Sequence, residues 1–346
     1  MKRMFSLLGA ASLVIGIASG AAAAPVPVAR VIAGTVAVCI DDCTVPGVPT
    51  YVVDLSYIDI AAECGDDAPV ILFIHGNSAS KEFFGKLLQE PFMRDFRCIA
   101  VDLPGHGNSS SYPNVLKDFF CADEERMVTH KNHFYSFSGY AHILNKFLAV
   151  LGINARMVNL FGWSLGGHVA IEMMRENPAF AHVMLTGTPI NNGDAAVAGF
   201  EPLKQLRLAT FVPDHTFADR EITVFDLLSY RQQFTTEQAQ LFHGLGGVTG
   251  ARFTDAAGIC TDPEARYFMI KALGTYDQEA VVRRDGAKFS VIQGANDQIK
   301  IKEDAVVRVQ ALGVKITELS DVGHAVFYEK PDAVAHELWS TCVDVV

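Results

Sequence analysis

Hydrophobic positions along this chain cluster in short continuous runs, separated by longer stretches with helical periodicity. Val70 to Ile74, Phe96 to Val101, Met157 to Phe161 and His182 to Thr186 are largely apolar on both faces, as strands in the middle of a parallel sheet must be. Lys288 to Gln293 and Val314 to Leu319 repeat the signal near the C-terminus. Arg30 to Ile40 and Tyr51 to Ala61, joined by a turn at Pro46 to Pro49, read as an antiparallel opening pair. Helices are predicted over Lys81 to Gln89, Tyr140 to Leu151, Leu165 to Asn177 (stopped by Pro178), Lys302 to Leu312 and Pro331 to Thr341. Strands alternating with helices imply a mostly parallel sheet covered on both faces.

Two stretches interrupt the alternation. Ser110 to Ser138 is a long connection whose Asp123-Glu124-Glu125-Arg126 run reads as a solvated face. From Ile190 to about Tyr276 the strand signal lapses, and helical patterns appear at Val224 to Phe234 and Thr236 to Leu245. Phe200, Phe211, Phe217, Phe225, Phe234, Phe242, Phe253 and Phe268 lie in this segment, most of them expected to pack helix against helix. The division is then a core of residues 25–189 and 277–346, with a helical cap over 190–276.

Composition narrows the function classes. A chain of 346 residues, 50% hydrophobic, can bury a large core. Its formal net charge of −11, with no Lys/Arg cluster, argues against nucleic acid and anionic membrane surfaces as partners. Lys2 and Arg3, the apolar run Leu7 to Ile17 and the small residues Ala18 to Ala24 have the layout of a signal peptide over residues 1–24. The expectation is export to the periplasm or the medium, with no stable membrane association after cleavage. An oxidising destination permits disulfides among the seven cysteines. Cys39 with Cys43 and Cys121 with Cys260 are the candidate pairs, while Cys98, inside a strand pattern, is expected to be buried and free. No Cys-x-x-Cys occurs, and His130-Lys131-Asn132-His133 lacks partners in the sequence, so neither a metal nor a cofactor is expected.

The candidate chemistry sits where predicted strands end. Gly162-Trp163-Ser164-Leu165-Gly166 is a Gly-x-Ser-x-Gly core between a strand and a helix, the pattern of a strained turn that presents its serine. Asp297 and His324 follow two later strands, and parallel sheets gather such loops on one edge. A serine hydroxyl is a poor nucleophile at neutral pH. His324 would take its proton, and Asp297 would fix the imidazole tautomer and stabilise its cation. Asp285 and Asp304 are alternative acids. His75-Gly76-Asn77 ends another strand, so the backbone N–H groups of Asn77 and Leu165 are the expected oxyanion donors, each worth about 3–4 kcal/mol to a transition state. His106 and Asp102 are read as bracing loops.

His75-Gly76-Asn77-Ser78, Asp102-Leu103-Pro104-Gly105-His106-Gly107, Gly162 to His168 and Gly323-His324-Ala325 together resemble the α/β-hydrolase superfamily. Within it, the chain is most similar to the N-acyl-homoserine lactone lactonases of this fold, through Asn77-Ser78, the Gly-Trp-Ser-Leu-Gly-Gly-His elbow and Leu185-Thr186-Gly187-Thr188-Pro189-Ile190. The resemblance implies an α/β-hydrolase fold with an inserted helical cap, and a metal-independent serine hydrolase acting on a small hydrophobic ester or lactone. The chain departs from those lactonases in its export signal, its cysteines, the long Ser110 to Ser138 connection, and an aspartate where they carry glutamate. Amide or carbon–carbon bond hydrolysis, and a ligand-binding receptor on the same scaffold, are the alternatives that this machinery leaves open.

Overall fold

The computed structural model describes residues 31–41, 46–190, 261–273, 276–297, 299–301 and 303–342. The expected signal segment, Cys43, Cys260 and the cap patterns at 224–234 and 236–245 lie outside them. Eight strands form one sheet: β1 (Val31–Ile40), β2 (Tyr51–Ile60), β3 (Val70–Ile74), β4 (Arg97–Val101), β5 (Val158–Trp163), β6 (His182–Thr186), β7 (Phe289–Gly294) and β8 (Lys315–Leu319). Their spatial order is β1-β2-β4-β3-β5-β6-β7-β8. The edge strand β1 pairs antiparallel with β2, and β2 antiparallel with β4; every later pairing is parallel.

Side-chain alternation splits the interior into two layers. From β3, Val70, Leu72 and Ile74 enter one core, while Ile71 and Phe73 enter the other. In β5, Val158 and Leu160 face the first layer and Phe161 and Trp163 the second. Because both faces are covered, these strands carry no polar side and read as unbroken apolar runs. Helices α3 (Phe137–Val150) and α4 (Leu165–Glu176) pack on the first face, and the final helix (Pro331–Cys342) on the second.

Two expectations about helices change. Lys81 to Gln89 is not one crossover helix but two 3₁₀ segments, Lys81–Gly85 and Leu87–Gln89. Phe83, Phe84 and Leu87 are all buried in the layer beneath the sheet, and Pro91 keeps Glu90 extended. The Ser110 to Ser138 connection holds α1 (Asn114–Phe119) and α2 (Glu124–Phe134). Its acidic run is a helix start: Asp123 caps α2 by accepting from the Arg126 N–H at 3.0 Å, while Glu124 and Glu125 lie exposed beside the positive end of the helix dipole.

Within the expected cap, α5 (Pro263–Lys271) is seated on the core. The Asp262 N–H donates to Gly105 O at 2.7 Å, Lys131 Nζ binds Glu264 Oε1 at 2.8 Å, and the rings of Tyr135 and Phe268 stack. Cys39, Cys64, Cys98, Cys121 and Cys342 are all free thiols, so Cys39 and Cys121 do not form their expected bridges. Cys98 is buried as expected, and Cys342 joins it, its thiol pushed up to about 12 by burial. No helix among the described residues is long and apolar enough to cross a membrane.

Candidate active site

The turn between β5 and α4 forces Ser164 to φ 55°, ψ −124°, a conformation an L-residue adopts only under constraint, at a cost of about 1–3 kcal/mol. Three bonds hold it there. The Ser164 N–H donates to Thr186 O at 2.8 Å, and Ser164 O accepts from Thr188 Oγ1 at 2.8 Å and from the Gly167 N–H at 3.0 Å. Glycine at 162 and 166 is a steric requirement, since a Cβ would run into Gly167 backbone in the first case and into the Ile74 and His75 carbonyls in the second. From Val158 to Met174 every residue is buried except Ser164. The strain therefore has one outward product: a serine hydroxyl at the rim of an otherwise closed layer.

His324 and Asp297 meet. The buried His324 ring places Nδ1 2.9 Å from Asp297 Oδ2, and both side chains are 1% exposed. The other carboxylate oxygen accepts from the Ile299 N–H at 2.8 Å, which turns the carboxylate toward the ring. Trp163 ties this pair to the elbow by donating Nε1–H to the His324 carbonyl at 3.0 Å, one residue from Ser164. Gly187 stands on the turn after β6, beside Ser164 on the turn after β5. At its φ of +58° a Cβ would come 2.5 Å from His324 Cε1 and 2.6 Å from Nδ1, so only glycine admits the imidazole. Of the alternative acids, Asp285 is engaged with Arg284 at 2.6 Å, and the side chain of Asp304 lies outside the described part.

The loop after β3 closes on the serine from the opposite side. A Cβ at Gly76 would stand 2.9 Å from the Ser164 Cβ. Asn77 follows, half-buried, with its Oδ1 lacking a hydrogen-bond partner among the described residues, and Ser78 takes φ 58°. Leu165 opens α4, whose start has no side-chain cap, and the first N–H groups of a helix are those its own carbonyls leave unpaired. Asn77 and Leu165 thus stand on the two turns that meet at Ser164.

A polar brace beneath this loop was only half legible. His75 donates from Nδ1 to Gly76 O at 2.7 Å and accepts at Nε2 from the Leu103 N–H at 3.0 Å, so it is a neutral staple between two loops; burial pushes its pKa down. Asp102, read as a brace, accepts from the Lys81 N–H at 2.8 Å, Lys81 Nζ at 2.6 Å and the Asn108 N–H at 2.9 Å. Burial alone would lower the Lys81 pKa, but Asp102 and Glu82 outweigh it and leave the ammonium held above its ordinary value. Sequence reading missed Lys81, which it placed only as the first residue of a predicted helix. It also missed Gln278, which binds His168 Nδ1 at 2.6 Å through Oε1 and clamps α4 from outside through Nε2. Neither has a local signature, because each acts on residues far away in the chain. His130, from the His-Lys-Asn-His run, is buried with Nδ1 2.8 Å from the Tyr112 hydroxyl.

A parallel sheet with a strained serine turn between strand and helix defines an α/β hydrolase, and over residues 71–337 the chain matches the alpha/beta hydrolase family and belongs to it. Among solved structures it is similar to the N-acyl homoserine lactonase AidH crystallised with N-butanoyl homoserine, at 26% identity and a TM-score of 0.61 over 85% of this chain and 94% of that one. It is also similar to a thermophilic esterase from Thermogutta terrifontis, at 17% identity and a TM-score of 0.63 over 89% of this chain and 98% of that one. A curated relative is the dihydrolipoyllysine-residue acetyltransferase component of the acetoin cleaving system of Cupriavidus necator, 24% identical over 277 residues. That alignment takes in 78% of this chain but only 62% of the length of the relative.

Proposed function

We propose that the chain is a serine hydrolase of carboxylic esters or lactones, with Ser164 as nucleophile, His324 as general base and acid, and Asp297 as the acid that orients it. One observation carries the reading: the buried Asp297–His324 bond of 2.9 Å, anchored through Trp163 to the strained Ser164 turn. With Asp297 accepting from Nδ1–H, Nε2 is the unprotonated ring nitrogen and can take the Ser164 proton as Oγ attacks the acyl carbon. The N–H groups of Asn77 and Leu165 stabilise the oxyanion. The imidazolium then protonates the leaving alkoxide, and a water activated by the same imidazole releases the acid. In a lactone the leaving alkoxide stays tethered to the acyl group, so the product is a single hydroxy acid.

Ester and lactone chemistry is favoured by the lactonase and esterase neighbours. An acyl-homoserine lactone is therefore the first substrate to try, and the N-terminal pattern points to export. The test is turnover of a panel of aryl esters and acyl lactones, together with labelling by a fluorophosphonate probe. Hydrolysis with labelling of wild type and neither with Ser164→Ala is the expected result. Equal turnover by the variant would sink the proposal, and ligand binding without labelling or turnover would favour a receptor.

A further inference from the structure

The turn that carries His324 is fastened at four points. The Ala295 N–H donates to Leu319 O at 2.8 Å, the Asn296 N–H to Val322 O at 3.0 Å, and Trp163 Nε1–H to the His324 carbonyl at 3.0 Å. The fourth fastening is a carboxylate. Glu329, at the end of the short helix Val326–Glu329, accepts the Gly323 N–H on Oε1 at 3.0 Å. That helix turns immediately after His324, with the Tyr328 and Glu329 N–H groups both donating to Ala325 O, so it brings the carboxylate back to the residue before the imidazole.

A neutral acceptor would satisfy the Gly323 N–H at less cost. Burial pushes Glu329 up to about 7; the Gly323 N–H opposes this, the negative Asp297 adds to it, and His324 opposes it. A carboxyl raised to about 7 is largely protonated in mildly acidic solution, so what the geometry asks of Glu329 there is the oxygen that receives the Gly323 N–H and not a standing charge. The other charged groups on the elements packed around Glu329 are engaged or turned to solvent. Lys86 Nζ lies 3.7 Å over the Tyr328 ring, Lys81 is bound to Asp102 and Glu82, and Glu337 is paired with Lys315 at 2.6 Å. Asp332, Lys330 and His336 are exposed.

We propose that Glu329 is a positioning residue of this site: its Oε1, accepting the Gly323 N–H, holds the Gly323–His324 turn in register. The inference rests on the catalytic reading of Ser164, His324 and Asp297. Asp297 sets the ring through Nδ1, while Glu329 sets the backbone that bears the ring.

Glu329→Gln keeps an oxygen acceptor for Gly323 and Glu329→Ala removes it, so the two variants isolate the fastening. Both kcat/KM for a p-nitrophenyl ester and the rate of fluorophosphonate labelling of Ser164 are followed from about pH 5 to about pH 9 in wild type, Glu329→Gln, Glu329→Asp and Glu329→Ala. Glu329→Ala is expected to lose about ten-fold in kcat and in labelling rate at unchanged KM because the turn has lost its fastening, Glu329→Asp, one methylene shorter, to lose nearly as much, and Glu329→Gln to recover most of the loss. Wild-type kcat in Glu329→Ala, with the near-UV dichroism of wild type, would overturn the inference. So would equal losses in Glu329→Ala and Glu329→Gln. Absence of Ser164 labelling in wild type is a different result and strikes the catalytic reading instead.

Discussion

At the scale of single residues, the site is built from exclusions as much as from reactive groups. Ser164 is open because its neighbours are not, and His324 has room because position 187 has no side chain. Gly187→Ala therefore has a defined consequence. The new methyl would strain the backbone at φ +58° and displace the imidazole against which it is built. A displacement of about 1 Å at the proposed general base costs on the order of 100-fold in rate. The expected outcome is a fall in kcat of that size with far-UV dichroism unchanged, and wild-type kcat in the variant would show that the ring has slack. The glycines of the elbow and the Ser, Asp and His were all legible as residue types at strand ends. Gly187 stood in the sequence too, inside Thr186-Gly187-Thr188, but nothing local says that a ring from residue 324 will press against it.

At the scale of elements, the loop after β3 depends on a charge pair the hydrophobic pattern could not show. Lys81 and Asp102 are 5% and 0% exposed and 2.6 Å apart, and together they hold the 3₁₀ start after the Asn77 loop against the loop after β4. Removing one member of such a pair leaves the other uncompensated in the interior, typically at about 3–5 kcal/mol. Lys81→Met is expected to lose stability in that range by urea denaturation. Lys81→Met with Asp102→Asn should recover part of it, because the double variant buries no lone charge. No recovery would mean that the lysine acts through its stem and not its charge. The predicted helix over Lys81 to Gln89 failed for the same reason. Its periodicity was read in isolation, whereas Asp102 and the two phenylalanines fixed its path.

At the scale of the molecule, titration gives the clearest prediction. Burial pushes His168 and His182 down to about 4, from an ordinary value of 6.5. The unfolded chain takes up these two protons near pH 6.5, while the folded chain refuses them until about pH 4, so stability falls as the pH drops through that window. Each histidine withdraws about 3 kcal/mol once the pH is below both values. Glu329 has the opposite sign: raised to about 7, it contributes stability below its ordinary value of 4.5 and loses it as the pH rises through 7. Two well-buried histidines outweigh one half-buried carboxylate, so the melting temperature should fall steadily from pH 7 to pH 4. His182→Gln, which keeps a partner for Ser290, should flatten that slope in calorimetry. An unchanged slope would place the acid sensitivity elsewhere.

The amino-acid sequence by itself determined the succession of strands, the two-sided burial of the central ones and the serine elbow. Each is written within a few consecutive residues, where hydrophobic period and glycine placement act directly on the backbone. It also named Asp297 and His324, because a parallel sheet delivers the ends of its strands to one edge. Only the tertiary structure decided which of those ends touch, that Lys81 carries its charge inside, and that Glu329 folds back onto the turn of His324. Those are contacts between residues far apart in the chain or across a turn, and hydrogen bonding and burial settle them only once the sheet has closed.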